Sequence, residues 1–301
     1  MTETNKQSMK WKKHEIEEQI GYDQYKNSQS WAGNFNFVIG ADVQLGYIWP
    51  HRERDAKDWK IEMEKAICAV DKINNLTPRP QFVVICGDLI NELSDDATEI
   101  KELQINDFQQ IFSKLHPSIS LVCVCGNHDV GNIPNEDSIN KYREHFGQDY
   151  FSFWCGGVLF LVMNTQYYKN RDNVKKHAEE QDQWLTEKLN DNKGQRIIVF
   201  QHIPWFVENV DEKTQYFNIN ENFRKNMLEK MHAAGVSHVF CGHYHRNCIK
   251  FYKNIEIVTT NAIGAPMGPM EPSGLRIVQI YENNIIHAYY PLEKMPRSII
   301  N

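Results

Sequence analysis

Residues 118–129 read SISLVCVCGNHD, an apolar run that stops at a glycine and continues with an amide, an imidazole and a carboxylate. Two earlier stretches have the same form, NFNFVIGADVQ at 34–44 and QFVVICGDLIN at 81–91. Amphipathic helical patterns at 54–75 and 99–115 separate the three runs. Near-continuous apolar strands that alternate with helices are typical of parallel strands buried on both faces. The first half of the chain therefore predicts an α/β fold with right-handed connections.

The second half predicts strands and helices in a less regular order. An apolar run at 150–166 is interrupted by Gly156 and Gly157, which indicates a β-hairpin. Helix and strand patterns then alternate at residues 177–191, 195–205, 220–235 and 236–247. Gly235 stands where the second of these helices should end, as a C-terminal cap. The alternating tail at 274–292 indicates antiparallel strands.

The chain shows neither a low-complexity linker nor an internal repeat, which favours one domain. We expect an N-terminal extension at residues 1–33, which are polar and weakly periodic, and a single domain at residues 34–301. A two-layer sheet core with helices outside is the natural way to bury this much apolar sequence.

Composition narrows the classes of function. The 301 residues carry a formal net charge of -6, and the sequence pI is about 6.1, so no overall basic field favours nucleic acid or an anionic membrane. The sequence shows no secretory signal and no apolar stretch of membrane-spanning length. Its seven cysteines include no Cys-x-x-Cys pair, as expected of reduced thiols. We therefore expect a cytoplasmic protein without nucleic-acid or membrane partners.

Five of the predicted strands end in side chains that can bind metal ions. The candidates are Asp42, Gln44, Asp88, Asn127, His202, His243 and His245. Taken singly, each carboxylate could cap a turn, and His202 could be a hydrogen-bonded core histidine. Taken together, they favour a site, because loops from separate strands converge beyond the carboxyl ends of an open α/β sheet.

The chemistry of these seven side chains is consistent with a metal centre. Carboxylate oxygen, amide oxygen and imidazole nitrogen suit divalent ions such as Mn, Fe, Zn, Co or Ni. Seven ligands are too many for one tetrahedral ion but enough for two divalent ions that share a bridging ligand.

The order Asp-x-Gln, Gly-Asp, Gly-Asn-His-Asp, His and Gly-His-x-His resembles the calcineurin-like metallophosphoesterase superfamily over residues 35 to 290. The resemblance implies an α/β fold, a four-layer metallophosphoesterase β-sandwich flanked by α-helices. It also implies which residues bind each ion. The first ion would be held by Asp42, Gln44, Asp88 and His245, and the second by Asp88, Asn127, His202 and His243.

One position departs from the usual pattern of the superfamily. Gln44 stands where most members have histidine. A neutral amide oxygen is a weaker donor than imidazole, so we expect the first ion to be bound less tightly. The Asp-x-Gln variant resembles a subgroup of serine/threonine phosphatases within the superfamily.

The resemblance implies hydrolysis of a phosphoester by a hydroxide that bridges the two ions and attacks phosphorus in line. His128 is the candidate general acid for the leaving group, because imidazole can carry a proton near neutral pH. Its alternative role is a hydrogen bond to a metal ligand. Asp129 is expected to orient the His128 ring, and Arg246 is a candidate contact for the substrate phosphate.

Three functions are compatible with these residues. We expect a phosphomonoesterase that acts on phosphoserine or phosphothreonine in a phosphorylated protein, or on a small phosphoester. A phosphodiesterase for cyclic nucleotides or other nucleotide-type molecules is the alternative among enzymes. A non-catalytic, metal-binding scaffold for a partner protein is favoured only by the substitution at Gln44.

Overall fold

A computed structural model of the chain describes residues 28–48, 58–93, 98–267 and 271–300. Most of the expected N-terminal extension, residues 1–27, lies outside these ranges. Its last residues contact the domain, since the Gly157 amide donates a 2.9 Å hydrogen bond to the Ser28 carbonyl and Trp31 packs on the apolar core. The boundary at residue 34 remains a prediction.

The first sheet contains the three strands predicted to be parallel. Its members are β1 (Phe35–Gly40), β2 (Phe82–Ile85), β3 (Ser120–Cys123), β10 (Gly274–Ile280) and β11 (Ile285–Pro291). They follow the order β11-β10-β1-β2-β3, in which β1, β2 and β3 are parallel and the other pairs are antiparallel. The predictions of parallel strands in the first half and of an antiparallel tail are both confirmed.

The second sheet contains the predicted hairpin. Its members are β4 (Phe151–Cys155), β5 (Val158–Val162), β6 (Ile197–Phe200), β7 (Val236–Cys241), β8 (Cys248–Tyr252) and β9 (Ile255–Thr259). They follow the order β4-β5-β6-β7-β9-β8. Gly156 and Gly157 turn the hairpin with φ angles of 57° and 82°, which glycine adopts without steric strain.

Helices cover the outer faces of the two sheets. They are α1 (Lys60–Asn74), α2 (Thr98–Phe112), α3 (Asn127–Val130), α4 (Glu136–Phe146), α5 (Gln166–Lys169), α6 (Lys175–Asp191) and α7 (Glu221–Ala234). A short 3-10 helix, Leu292–Lys294, follows β11. Gly235 ends α7 in the left-handed conformation at φ 93°, as predicted. None of the helices within the described ranges is both long and apolar enough to cross a membrane.

The central strands are apolar at almost every position because successive side chains point to opposite faces of the sheet. In β1, Phe37 and Ile39 face the second sheet, whereas Val38 packs against the helices. In β2, Phe82 and Val84 likewise face the second sheet. Both faces are buried, so both sets of alternating positions must be apolar.

The helices and sheets form four layers. Helices α1, α2 and α4 pack on the first sheet, the two sheets pack on each other, and α7 packs on the outer face of the second sheet. The predicted four-layer sandwich is confirmed. Stacking of the sheets brings the carboxyl ends of β1, β2, β3, β6 and β7 to one edge, where the candidate ligands follow.

Candidate metal centre

Backbone hydrogen bonds join the loops that follow the central strands. The Asp42 amide donates to the Gly87 carbonyl at 3.0 Å, and the Gln44 amide donates to the Asp88 carbonyl at 2.9 Å. In the second sheet, the Gly242 amide donates to the His202 carbonyl at 3.0 Å. Each loop is thereby fixed to its neighbour by hydrogen bonds of the backbone alone.

All seven candidate ligands are buried, with at most 3% of any residue exposed. Two sets have ligand atoms within 4.8 Å of one another: Asp42, Asp88 and His245 form one, and Asp88, His202 and His243 form the other. Asp88 belongs to both sets, which is the position that a ligand shared by two ions would occupy.

The histidine tautomers are fixed by backbone carbonyls, which can only accept hydrogen bonds. Nδ1 of His202 lies 2.8 Å from the Cys86 carbonyl, and Nδ1 of His245 lies 2.6 Å from the Ala265 carbonyl. Their Nε2 atoms are thus left to face Asp88 and Asp42, at 3.2 Å and 3.3 Å. Such an N–H to carbonyl bond is the usual way in which a metal-binding imidazole is oriented.

His243 is oriented the other way around. Its Nε2 lies 3.1 Å from the Tyr216 carbonyl, so the proton belongs on Nε2 and the lone pair of Nδ1 is available to an ion.

The two amide side chains also present oxygen to the centre. Asn127 places Oδ1 3.0 Å from Nε2 of His202, while its Nδ2 donates to Asn132 Oδ1 at 3.2 Å and to the Tyr216 hydroxyl at 3.3 Å. Gln44 Oε1 is buried and accepts no hydrogen bond from any residue that the structure describes. A buried acceptor without a donor costs free energy unless a cation or water satisfies it, so this atom fits a metal ligand.

The backbone of the centre is strained. Six described non-glycine residues have a left-handed φ, and five of them are candidate ligands. These five are Asp42, Gln44, Asp88, His243 and His245, with φ from 44° to 68°. Each such residue costs on the order of 1 kcal/mol, and strain of this kind concentrates at functional sites.

Two glycines leave room for the carboxylates. A Cβ on Gly126 would lie 2.3 Å from both the amide nitrogen and Oδ1 of Asp88. A Cβ on Gly242 would lie 2.6 Å from Asp42 Oδ2. The glycines before the Asn-His-Asp and His-x-His motifs are therefore required by the close approach of two candidate ligands.

The charges of the centre are strongly coupled. Burial alone would raise the pKa of the Asp88 carboxyl, but His202, His128 and His243 outweigh it and hold that pKa well below its usual range. Burial opposes protonation of His202, yet Asp88 and Asp42 raise its pKa to about 9. The centre therefore attracts positive charge, and a divalent ion would compete with these protons for the same atoms.

His128 lies beside the ligand sets, half-buried, and its backbone amide donates to Asp88 Oδ1 at 2.8 Å. Its Nδ1 lies 2.6 Å from the Asn91 carbonyl, so Nδ1 carries a proton and Nε2 remains as the exchangeable position. This contact could not be predicted from the sequence, because every residue offers a backbone carbonyl.

The carboxylate of Asp129, which was expected to orient the His128 ring, contacts backbone amides of two loops instead. Oδ2 of Asp129 accepts from the Gly126 amide at 2.7 Å, and Oδ1 accepts from the Leu89 amide at 2.9 Å. Burial and the charge of Asp88 raise the pKa of Asp129 to about 7, against the effect of these amides. Asp129 thus joins the loops after β2 and β3, and the Asn91 carbonyl holds the ring.

Arg246 lies at the rim of the centre rather than among the ligands. Its Nε donates to the Met267 carbonyl at 2.6 Å, and its guanidinium lies 5.6 Å from the centre of the Tyr244 ring. A groove of about 310 Å³ is lined by Arg246 and Tyr244 together with Phe217 and Glu208. The Phe217 ring lies 5.7 Å from that of His243, so the groove adjoins the second ligand set.

The chain resembles known proteins in both sequence and architecture. A model of the calcineurin-like phosphoesterase family matches residues 30–247. The chain belongs to this family. Serine/threonine-protein phosphatase CPPED1 of Homo sapiens is 40% identical over 278 residues, which cover 90% of this chain and 88% of the human protein. The Danio rerio protein of that name is 37% identical over 274 residues, covering 89% of this chain and 88% of its own length.

A solved structure supports the same fold. A dimetal phosphatase from Danio rerio superimposes with a TM-score of 0.64 at 16% identity, over 87% of this chain and 97% of its own. The predicted superfamily, its serine/threonine phosphatase subgroup and the assignment as a phosphoric ester hydrolase are confirmed. Calcineurin-like phosphoesterases use divalent metal ions, and the buried ligand sets of this chain fit that requirement.

Proposed function

We propose that this hydrolase uses a dinuclear metal centre to cleave phosphate monoesters, with phosphoserine and phosphothreonine in proteins as its substrates. The observation that carries the proposal is the position of Asp88, which is common to both buried ligand sets. The Gln44 oxygen, which accepts no hydrogen bond from the described residues, adds a further metal-binding atom to the first set.

The ligands divide between the two ions. The first ion would be held by Asp42, Gln44, Asp88 and His245, and the second by Asp88, Asn127, His202 and His243. When bound, two divalent ions polarise phosphoryl oxygens and make water a stronger nucleophile at neutral pH. Oxygen and imidazole nitrogen donors suit Mn, Fe, Zn, Co or Ni.

His128 would protonate the leaving alkoxide. The Asn91 carbonyl keeps a proton on Nδ1, so the proton on Nε2 of the imidazolium is the one that can be transferred. The ring then returns to a neutral form that the same carbonyl still holds. Asp129 contributes by fixing the loop that carries His128, through the Gly126 and Leu89 amides.

A protein substrate is supported by the groove beside the second ligand set. Phe217 and Tyr244 give it aromatic walls, and Arg246 and Glu208 give it one charge of each sign. Such a surface suits the residues on either side of a phosphorylated side chain, and Arg246 would contact either the phosphate or an acidic neighbour. The curated relatives that match most of the chain carry the name serine/threonine-protein phosphatase.

The dinuclear assignment is tested by Asp88→Asn. We expect loss of activity together with loss of metal from both positions, because the amide provides only one good oxygen donor and no charge. Asp172→Asn, at an exposed position on the loop before α6, is the matched control and should retain both. Elemental analysis should give about two ions per unaltered chain; activity surviving in Asp88→Asn would refute the shared ligand.

The substrate class is tested by parallel assays of the metal-loaded protein. A phosphoserine peptide, 4-nitrophenyl phosphate and bis(4-nitrophenyl) phosphate separate monoester from diester hydrolysis. We expect the two monoesters to be turned over faster than the diester. Preferred turnover of the diester would replace the phosphatase with a phosphodiesterase acting at the same centre.

A further inference from the structure

The loop between β6 and α7 is held rigidly although it has no regular secondary structure. Nζ of Lys169, on α5, donates to three carbonyls of the loop, among them Tyr216 at 3.0 Å and Asn218 at 2.7 Å. The buried Arg224 donates to the Val210 and Ile219 carbonyls at 2.9 Å and 2.8 Å. Two cations on neighbouring helices thus satisfy the backbone of the loop and fix its course.

This bracing places Tyr216 between two candidate ligands of the same ion. Its hydroxyl lies 3.3 Å from Nδ2 of Asn127. Its ring centre lies 4.9 Å from that of His243, whose Nε2 is 3.1 Å from the Tyr216 carbonyl. Tyr216 is therefore in contact with the second ligand set through its hydroxyl, its ring and its backbone.

The hydrogen bond between Asn127 and the Tyr216 hydroxyl leaves the phenolic proton available for donation. An amide NH₂ group can only donate, so the Tyr216 oxygen accepts from Asn127 and the phenolic proton is not used in that bond. Half of the residue (50%) is exposed, which gives an incoming molecule access to it. A phenol carries its proton at neutral pH, so this donor is available to an incoming molecule.

We propose that Tyr216 is a further catalytic residue, whose hydroxyl donates a hydrogen bond to a phosphoryl oxygen of the bound substrate. This inference rests on the proposed phosphoesterase centre, since the oxygen concerned would be bound beside Asn127 and His243. In the transition state the phosphoryl group carries negative charge on its equatorial oxygens, and a donor already in place stabilises that charge without reorganisation. The hydroxyl keeps its proton throughout, and no covalent bond is made to it.

The test is Tyr216→Phe, which keeps the ring over His243 and removes only the hydroxyl. At saturating metal we expect kcat/KM for a phosphopeptide to fall about 10- to 100-fold, the range for a hydrogen bond to a charged group. Inhibition by inorganic phosphate should weaken as well. Metal content and the midpoint of thermal unfolding should stay those of the unaltered protein.

Asn132→Ala is the matched control, because it removes the other partner of the Asn127 amide without removing a donor to the substrate. If Tyr216 only orients Asn127, both variants will show the same weakened metal affinity, and excess metal will restore the activity of both. That result, or a kcat/KM for Tyr216→Phe within twofold of the unaltered protein, would overturn the inference.

The inference and the proposed function can fail separately. An unaltered, metal-loaded chain that hydrolyses no phosphomonoester would refute the proposed function. Binding of inorganic phosphate to the metal-loaded protein, measured by calorimetry, tests the hydroxyl independently of turnover. Equal phosphate affinity of Tyr216→Phe and the unaltered chain would refute the inference even if the enzyme is active.

Discussion

Gln44 is the residue at which this chain departs from the usual ligand pattern of the family. The side chain is buried and its Oε1 accepts no hydrogen bond from the described residues. Its left-handed φ of 44° is one that histidine also tolerates better than most residues. The backbone at this position therefore also suits the more common imidazole.

Gln44→His should bind the first ion more tightly, because imidazole nitrogen is a stronger donor to borderline divalent ions than an amide oxygen. We expect the affinity to rise on the order of tenfold. Gln44→Met, of similar length but without the oxygen, should lower it by a comparable factor. Calorimetric titration of the metal-free chain measures both. Equal affinities in all three proteins would show that Gln44 is not a ligand.

His128→Asn should separate catalysis from metal binding. The ring is oriented by the Asn91 carbonyl and not by a ligand side chain, so both ions should remain. Loss of the general acid lowers kcat by about 10² to 10⁴. The loss should be greatest for alkyl phosphates, whose leaving groups need the proton, and smallest for 4-nitrophenyl phosphate. A uniform loss accompanied by reduced metal content would make His128 structural.

The strand ends were predictable from the sequence because each apolar run stops where its ligand begins. The run before Asp88 and the run before Asn127 are continuous enough in apolar residues to define a strand, and their glycines mark the turn. The role of Asp129 was not predictable. Its carboxylate accepts hydrogen bonds from the Leu89 and Gly126 amides. Contacts with backbone amides cannot be recognised from the pattern of side chains in a sequence.

Some elements also lay beyond sequence reasoning. The edge strand Cys248–Tyr252 is one, because its apolar Ile249 and Phe251 are exposed and do not mark a buried face. The helix Glu136–Phe146 is not, because Ile139, Tyr142 and Phe146 form one buried face at helical spacing. Tyr216 lies in a loop whose course depends on Lys169 and Arg224, which donate to its carbonyls from α5 and α7. Tertiary contacts of this kind decide where a loop residue lies, whereas local sequence does not.

The turn between β3 and α3 brings Gly126 against Asp88, and a substitution at Gly126 tests whether metal binding needs this close approach. In Gly126→Ala, the new Cβ would meet the amide and the carboxylate of Asp88 at 2.3 Å. We expect lower metal content and a free energy of unfolding reduced by about 1–3 kcal/mol, as for other overpacked sites. Elemental analysis and urea denaturation measure the two effects.

Gly194→Ala is the control for backbone strain alone. Gly194 has a φ of 85°, and a Cβ there would meet no atom within 4 Å. Its alanine variant should lose about 1 kcal/mol of stability through the left-handed conformation and keep its metal. If Gly126→Ala behaves in the same way as this control, the close packing of Asp88 is not needed for metal binding.

At the scale of the whole molecule, a polar network connects the two sheets away from the metal centre. Glu256 on β9 accepts from His287 on β11, at 3.1 Å, and pairs with His238 on β7, at 3.4 Å. Arg276 donates to Nδ1 of His287 at 3.0 Å, so the proton of that neutral ring lies on Nε2 and points to Glu256. Two imidazoles and a carboxylate can also bind a metal ion, but these hydrogen bonds account for them without one.

The hydrogen bond from His238 is the main cause that lowers the pKa of Glu256, with His287 adding to it against partial burial. A carboxyl whose pKa is lowered on folding stabilises the native state above its unfolded pKa, near 4.5. That contribution is lost as the pH falls through the lower pKa of the folded state. The network should therefore hold the sheets together at neutral pH and weaken in acid.

Glu256→Gln should accordingly lower the free energy of unfolding by about 1–3 kcal/mol at pH 7, because one charged acceptor serves two imidazoles. The difference from the unaltered protein should shrink as the pH is lowered from 5 toward 3. Urea denaturation at a series of pH values measures it. The exposed Glu179→Gln is the control and should change stability by less than about 0.5 kcal/mol at every pH. A pH-independent difference for Glu256→Gln would mean that its charge does not connect the sheets, and that apolar packing between them is sufficient.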